Sequence, residues 1–236
     1  MPSLYDEGKI NEVEEVLNIS FSNKFLLERA LTHKSFPNEN KELNMKDNER
    51  LEFLGDSVLS LTVSTYIFKK FSEYPEGKLA KMRSVIVSEP ILAKIAREIN
   101  IGKYMLLGKG EELTGGRDRE SILADAMEAI YGAVYMDKDF MYAAKFILGI
   151  LKNVINAVEN GQYLKDYKTM LQELIQKDNL KRPEYKVIDE KGPDHNKIFT
   201  IKVDFDGKKL GKGKGASKKE AEQKAAKEAL KKLGEL

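Results

Sequence analysis

The sequence contains no cysteine and only two histidines among its 236 residues. The lack of cysteine excludes a disulfide framework and any thiolate-bound metal. Residues 1–10 are polar and of mixed charge, and carboxylates interrupt every long apolar stretch further along the chain. We therefore expect neither a signal peptide nor a transmembrane helix, and predict a cytoplasmic protein that makes no membrane contact.

Composition indicates a folded chain with an uneven distribution of charge. The hydrophobic fraction of 42% is too high for a disordered chain, and the length allows one or two ordinary domains. Residues 1–165 carry 22 basic and 25 acidic side chains, whereas residues 166–236 carry 18 and 13. A basic C-terminal part beside a mildly acidic larger part favours a module that binds a polyanion.

The periodicity of apolar residues changes near residue 160 and predicts two domains. Spacing of three and four residues continues from Asn11 to Val158, which predicts an all-α domain over residues 1–158. A short linker is expected at 159–165, because the helical pattern stops at Gly161. Residues 166–236 then predict a small α+β domain with the order α-β-β-β-α.

The strand pattern of this second domain is specific. Apolar residues alternate with polar ones from Phe199 to Phe205, and Asp206-Gly207 is typical of a type I′ hairpin turn. The predicted strands are Glu184–Glu190, Lys197–Phe205 and Lys208–Gly213, between helices at 166–179 and Lys218–Leu233.

Acidic residues share faces of two otherwise apolar helices in the first domain. In the helix around Arg50–Phe68, a projection at 100° per residue separates an apolar face from an acidic one. The apolar face comprises Leu51, Leu54, Val58 and Leu61, and the acidic face comprises Glu49, Glu52 and Asp56. In the stretch Ser121–Tyr135, Leu123, Met127, Ile130 and Val134 form the predicted core face. Asp125 and Glu128 lie instead on a face with the small residues Ser121, Ala129 and Gly132.

These carboxylates have two interpretations. They could be solvated faces of surface helices, but neither acidic face carries the interleaved lysines that are usual there, and burial of unpaired carboxylates is costly. If the two faces pack together, Glu52, Asp56, Asp125 and Glu128 form an all-oxygen cluster. Such a cluster suits Mg²⁺ or Mn²⁺ and metal-assisted phosphodiester hydrolysis. His33 and His195 are too far apart in sequence to favour a histidine acid–base pair, and we expect His33 to be structural.

Nine consecutive residues, Asn48 to Asp56, resemble the signature motif of the ribonuclease III family. Residues 76–79 and the run from Gly108 to Ala129 resemble further blocks of that family, in the expected order. The resemblance implies that Glu52, Asp56, Asp125 and Glu128 bind Mg²⁺, with Asp56 and Glu128 catalytic and Mn²⁺ a possible substitute. It also implies that Glu49 and Glu76 are accessory acids and that the protein is a homodimer with Phe53 at the interface.

The C-terminal helix carries a second set of candidate residues. Ser217 and Glu220 form a predicted capping box, and Lys218 and Lys219 oppose the helix macrodipole unless an anion docks there. A merely solvated lysine-rich helix is the alternative. Residues 211–222 resemble the double-stranded RNA-binding domain, and residues 192–195 resemble its first hairpin loop. The predicted RNA-binding residues are Thr169, Gln172, Glu173, His195, Lys214, Ser217, Lys218 and Lys219.

The resemblance implies a Mg²⁺-dependent endoribonuclease that hydrolyses double-stranded RNA. It implies 5′-phosphate and 3′-hydroxyl ends with short 3′ overhangs, and processing of structured precursors of ribosomal and messenger RNA. A non-catalytic double-stranded RNA-binding scaffold is the main alternative. A nuclease acting on DNA is disfavoured, because the C-terminal module reads 2′-hydroxyl groups in the RNA minor groove.

Overall fold

The computed structural model describes residues 7–160, 167–176, 182–192 and 197–235. These residues form two compact units, one before residue 165 and one after it. The first is helical and the second combines a three-stranded sheet with two helices, so the predicted fold class is confirmed. The domain limits at 158 and 166 stay predictions, because most of the predicted linker lies outside the described residues.

Helices of the first unit surround one central helix, α8, which is buried along most of its length. The helices are α1 (Glu7–Leu17), α2 (Lys24–Ala30), α3 (Ser35–Glu39), α4 (Glu49–Lys70), α5 (Glu76–Ile86), α6 (Glu89–Glu98), α7 (Lys109–Leu113), α8 (Glu120–Asp137), α9 (Phe140–Ile150) and α10 (Lys152–Glu159). Helix α8 packs against α4, α6, α2 and α9. Its predicted core residues Leu123, Met127, Ile130 and Val134 are all buried.

Helices α4 and α8 approach each other at backbone distance through two glycines. A methyl group on Gly55 would meet the carbonyl oxygen of Glu128, and one on Gly132 would meet the carbonyl oxygen of Leu51. Only glycine permits this separation, because any larger side chain would push the two backbones apart. The close approach fixes which residues of α4 and α8 face each other.

The prediction that Leu61 of α4 belongs to the core is wrong. Leu61 is 55% exposed, whereas Leu51 and Val58 are buried as predicted. The buried face continues instead through Leu59, Thr62, Val63 and Ile67. The buried face of α4 is the side that meets α8, and Leu61 lies outside it. This side includes a glycine and a threonine, which a projection of hydrophobic residues does not assign to the core.

The second unit has an antiparallel sheet in the order β1-β2-β3. Its elements are α11 (Tyr167–Gln176), β1 (Glu184–Lys191), β2 (Ile198–Phe205), β3 (Lys208–Gly215) and α12 (Lys218–Lys232). Asp206 and Gly207 both have positive φ, at 50° and 77°, as the predicted type I′ turn requires. Strand β3 is two residues longer than predicted.

Glycines of β3 explain how α12 packs on the sheet. Methyl groups on Gly211 and Gly213 would meet the backbone of α12 at Ala225 and Ala221, and Gly215 also lies against this helix. Three glycines at alternate positions therefore form a flat surface for the alanine face of α12. The glycine-rich sequence of β3 is a packing feature.

The cap of α12 differs from the prediction in one contact. The Ser217 hydroxyl accepts a hydrogen bond from Glu220 N at 3.2 Å, as a capping box requires. The Glu220 carboxylate in turn accepts from Ala216 N at 2.8 Å, one residue before the cap. This reciprocal bond therefore holds the residue before the N-cap against the first turn of α12.

Within the described ranges, no single helix has the length and apolar character needed to cross a membrane. Helices α9 and α10 meet that criterion only when they are combined, and they are bent by 63° relative to each other.

We expect Gly55→Ala and Gly132→Ala each to lower the free energy of unfolding by about 1–3 kcal/mol, the usual cost of overpacking. The matched control is Gly149→Ala, because nothing lies within 4 Å of a methyl group at this helical glycine. That change should instead stabilise by about 0.5–1 kcal/mol. Urea unfolding of all three variants measures the difference, and equal effects would contradict the close approach of α4 and α8.

Candidate functional site

Three of the predicted carboxylates converge between α4 and α8. Glu52, Asp125 and Glu128 each offer an oxygen atom within 4.8 Å of the others. Glu52 lies one turn before the α4 glycine, and Glu128 contributes the carbonyl that faces this glycine. The backbone contact between the helices therefore brings the three side chains together, and each is half-buried.

The electrostatics of this cluster are unfavourable without a counter-charge. Burial, together with the charges of Asp56 and Asp125, raises the pKa of Glu128 to about 8. Burial and neighbouring carboxylates also raise the pKa values of Asp125 and Glu52. Both causes disfavour the charged form of these carboxylates, and a cation bound between them would favour it.

Asp56, the fourth predicted ligand, lies at the edge of this arrangement. Its side chain is exposed, and the Ser60 hydroxyl lies 3.5 Å from its Oδ1 atom. It does not share the short distances of the other three oxygens among the described residues. Its charge nevertheless contributes to the raised pKa of Glu128.

Glu49 is paired with a lysine that the sequence reasoning missed. The Lys34 ammonium lies 2.9 Å from the Glu49 carboxylate, and its charge opposes the raised pKa values of Glu52 and Asp125. Lys34 lies far from α4 in sequence, so no spacing rule could connect the two. The Lys34 ammonium group therefore lies at the rim of the acidic cluster.

His33 has the structural role that was expected. It is 9% exposed, and its Nδ1 atom lies 2.8 Å from the Ser35 hydroxyl. That hydroxyl accepts a hydrogen bond from Gly108 N at 2.8 Å, so the histidine supports the turn before α7. Burial lowers its pKa, which favours the neutral ring.

Glu76 and Phe53 lie outside the oxygen cluster. Glu76 begins α5 and lines an open cavity of about 350 Å³, together with Phe68, Leu79 and Arg83. Phe53 is 77% exposed on α4.

The predicted RNA-binding residues of the second unit lie on three elements. Thr169, Gln172 and Glu173 are on α11, where Gln172 donates a hydrogen bond to Gln176 at 3.3 Å. Lys218 and Lys219 begin α12 beside the cap residue Ser217. Lys214 is on β3, and His195 lies outside the described residues.

Lys218 has a protein partner that the sequence did not indicate. Its ammonium lies 3.7 Å from the Glu190 carboxylate and 5.6 Å from the centre of the Phe199 ring. Glu190 offsets part of the unfavourable interaction between Lys218 and the helix macrodipole. A bound anion is therefore not the only group that can compensate this charge. Lys219 has no ion pair with any residue that the structure describes.

The donor set of the cluster fits a hard divalent cation. Its members are carboxylates alone, with no histidine or cysteine, which is the oxygen-rich environment that Mg²⁺ and Mn²⁺ prefer. The mutual repulsion that raises their pKa values would be relieved by positive charge between them.

The sequence matches two known families over complementary ranges. Residues 23–154 match the family described as Ribonuclease-III-like, and residues 167–233 match the double-stranded RNA binding motif. A protein named Ribonuclease 3 from Caldanaerobacter subterraneus is 50% identical over 222 residues, which cover 94% of this chain and 97% of that protein. The chain belongs to the ribonuclease III family.

Further relatives agree with this assignment. Ribonuclease 3 from Clostridium botulinum is 49% identical over 225 residues, covering 95% of this chain and 96% of the relative. The solved nuclease domain of ribonuclease III from Campylobacter jejuni is 43% identical and has a TM-score of 0.57, covering 61% of this chain and 96% of that structure. The predicted family and enzyme class, an endoribonuclease, are thereby confirmed.

The raised pKa of Glu128 predicts how stability depends on pH in the metal-free protein. The folded state holds this proton more tightly than the unfolded chain does, so the stabilisation is complete below about pH 4.5 and is lost as the pH rises towards 8. We expect Glu128→Gln to raise the melting temperature more at pH 8 than at pH 5.

Thermal melts in EDTA measure this difference. The control is Glu120→Gln, which neutralises an exposed carboxylate on the same helix. It should shift the melting temperature equally at both pH values, and an equal shift for Glu128→Gln would contradict the burial of its charge.

Proposed function

We propose that the protein is a Mg²⁺-dependent endoribonuclease that hydrolyses double-stranded RNA, with Mn²⁺ as a possible substitute. The observation that carries this proposal is the convergence of the Glu52, Asp125 and Glu128 oxygens within 4.8 Å in a family of ribonucleases. These three residues would hold the ion, with Asp56 beside them. Mg²⁺ bound there would supply the positive charge that favours phosphodiester hydrolysis.

The side chains of the cluster have separable tasks in this proposal. Glu52 on α4 and the α8 pair Asp125 and Glu128 bind from two helices, whose spacing is set by backbone contact. Asp56 and Glu128 are the proposed catalytic residues, and Asp56 is open to solvent, where substrate arrives. Hydrolysis would break the bond between phosphorus and the 3′ oxygen, leaving a 5′ phosphate and a 3′ hydroxyl.

The second unit would hold the duplex. Such modules read the A-form shape and 2′-hydroxyl groups over about 16 base pairs. Thr169, Gln172 and Glu173 would face one minor groove, His195 a second one, and Lys218 and Lys219 the phosphates between them. Ser217 completes this set at the start of α12, whereas the remaining predicted residue, Lys214, lies on strand β3. The match of residues 167–233 to the double-stranded RNA binding motif supports this part of the proposal.

We also propose that two copies act together, with Phe53 at the interface. A phenylalanine that is 77% exposed on an ordered helix would be covered in a dimer. The solved nuclease domain from Campylobacter jejuni is described as flexible in a region involved in dimer formation. Two sites, one per strand, would give the short 3′ overhangs. The expected setting is the cytoplasm, with structured precursors of ribosomal and messenger RNA as substrates.

A scaffold that binds double-stranded RNA without cutting it is the alternative function. A scaffold has no use for three half-buried carboxylates that repel one another and raise the pKa of Glu128 to about 8. Selection for stability alone would remove such a cluster.

The decisive experiment compares wild type with Glu128→Gln on an end-labelled RNA hairpin of about 20 base pairs or more. We expect Mg²⁺-dependent staggered cuts with 5′ phosphates for wild type, and none in EDTA. The variant should bind the hairpin normally but lose at least about 100-fold in cleavage rate, because the cluster loses a charged oxygen ligand.

Glu112→Gln is the matched control, since Glu112 is exposed and pairs with Arg117 away from the cluster. It should cleave like wild type. Binding without cleavage by the wild-type protein would favour the scaffold, and cleavage by Glu128→Gln near the wild-type rate would remove this residue from the mechanism.

For the proposed interface we expect Phe53→Ala to weaken dimerisation by at least about tenfold, in the range of an aromatic hot spot. Sedimentation at a series of protein concentrations measures this change. Phe25→Ala is the control, because Phe25 is also exposed, at 55%, but lies on α2. A dimer equally stable in both variants would assign Phe53 another role.

A further inference from the structure

Strand β3 presents its lysines on the side of the sheet away from the helices. Gly211, Gly213 and Gly215 lie against α12, so the residues between them, Lys212 and Lys214, have their side chains on the opposite face. We call this opposite side the outer face. It is separate from the start of α12, where Lys218 and Lys219 lie.

Lysines from all three strands align across the outer face. Lys186 of β1 is the register partner of Lys202 in β2, and Lys202 is the partner of Lys212 in β3. The backbone N–H of Lys212 donates to the Glu228 carboxylate at 3.1 Å, so it points away from β2. Lys202 and Lys212 therefore form a non-hydrogen-bonded pair, the arrangement in which opposed Cα atoms are about 4.5 Å apart and side chains are closest.

The lysines of β1 and β2 in this row have acidic partners. Glu184 lies 2.8 Å from the Lys186 ammonium, and Asp204 lies 2.6 Å from the Lys202 ammonium. Lys212 and Lys214 have no ion pair with any of the described residues. The unbalanced positive charge is thus concentrated on β3, and like charges directly opposed across strands are destabilising unless something negative binds.

We propose that the outer face is a second polyanion-binding surface, and that Lys212 and Lys214 there bind the phosphate backbone of an RNA segment other than the one held at the start of α12. Lysines at alternate positions of a strand are about 7 Å apart and can contact successive phosphates. A lysine ammonium acts as a point charge, so this contact needs no particular hydrogen-bond geometry. This inference rests on the proposed function, since it takes RNA to be the ligand of this unit.

A lysine row on an edge strand can also have a role that does not involve RNA. Lysines at such an edge can prevent the strand from pairing with another molecule, in which case they matter for solubility alone. An acidic protein could also bind the row, in which case RNA affinity would not depend on it.

The experiment measures binding of the full chain in EDTA to labelled RNA duplexes of about 16 and about 40 base pairs, the shorter one filling a single site of this kind. The test variant is Lys212→Gln with Lys214→Gln. We expect about a fivefold or greater loss of affinity for the long duplex, a salt slope smaller by about one to two, and less than a twofold change for the short duplex.

Two double variants serve as controls. Lys208→Gln with Lys231→Gln removes the same charge elsewhere, because Lys208 lies opposite Phe205 beside the turn and Lys231 is in the last turn of α12. It should bind both duplexes like wild type. Lys218→Gln with Lys219→Gln should weaken binding to both lengths, and combined with the test variant its fold-loss on the long duplex should multiply. Thermal melts confirm that every variant is folded.

Each alternative has its own result. Equal binding by the test variant and the Lys208/Lys231 control would overturn the second surface but leave the proposed function intact. Failure of the wild-type chain to bind either duplex would overturn both. Unchanged RNA binding with new self-association would assign the lysines to edge protection, and unchanged RNA binding with lost affinity for polyglutamate would assign them to an acidic protein.

Discussion

The backbone contact between α4 and α8 determines the geometry of the catalytic unit. Two glycines, Gly55 and Gly132, let the helices touch without intervening side chains, so the positions of Glu52 and Glu128 depend on main-chain packing. Side chains at such a crossing have little freedom to move apart. The pKa of Glu128 is the electrostatic consequence, since the contact that aligns the carboxylates also buries them.

Tight packing and charge repulsion therefore oppose each other at one place in the fold. The apolar residues of α8, from Leu123 to Val134, supply the stability that holds the carboxylates together. Strain of this kind is tolerated at functional sites. At such sites the sequence departs from the rules of patterning and burial that hold elsewhere in the chain. Lys34 relieves part of the repulsion from the rim through Glu49.

The sequence was informative wherever a local rule applied. Strand alternation, the Asp206-Gly207 turn and the core face of α8 were all predictable, because each depends on near neighbours in the chain. Leu61 was misassigned because the buried side of α4 is defined by a partner helix, including Gly55 and Thr62. Likewise the Lys34–Glu49 pair, the Glu190 partner of Lys218 and the marginal place of Asp56 depend on tertiary geometry, and the expectation for His195 stays untested.

Alternate residues of strand β3 have different roles, and they differ in how freely they can be substituted. Its glycine positions are constrained by the backbone of α12, so substitutions there disturb the fold. The alternate positions, Lys212 and Lys214, are exposed, so substitutions there carry no such packing penalty. Substitution of either lysine therefore changes the charge of this surface while the packing of α12 on the sheet is preserved.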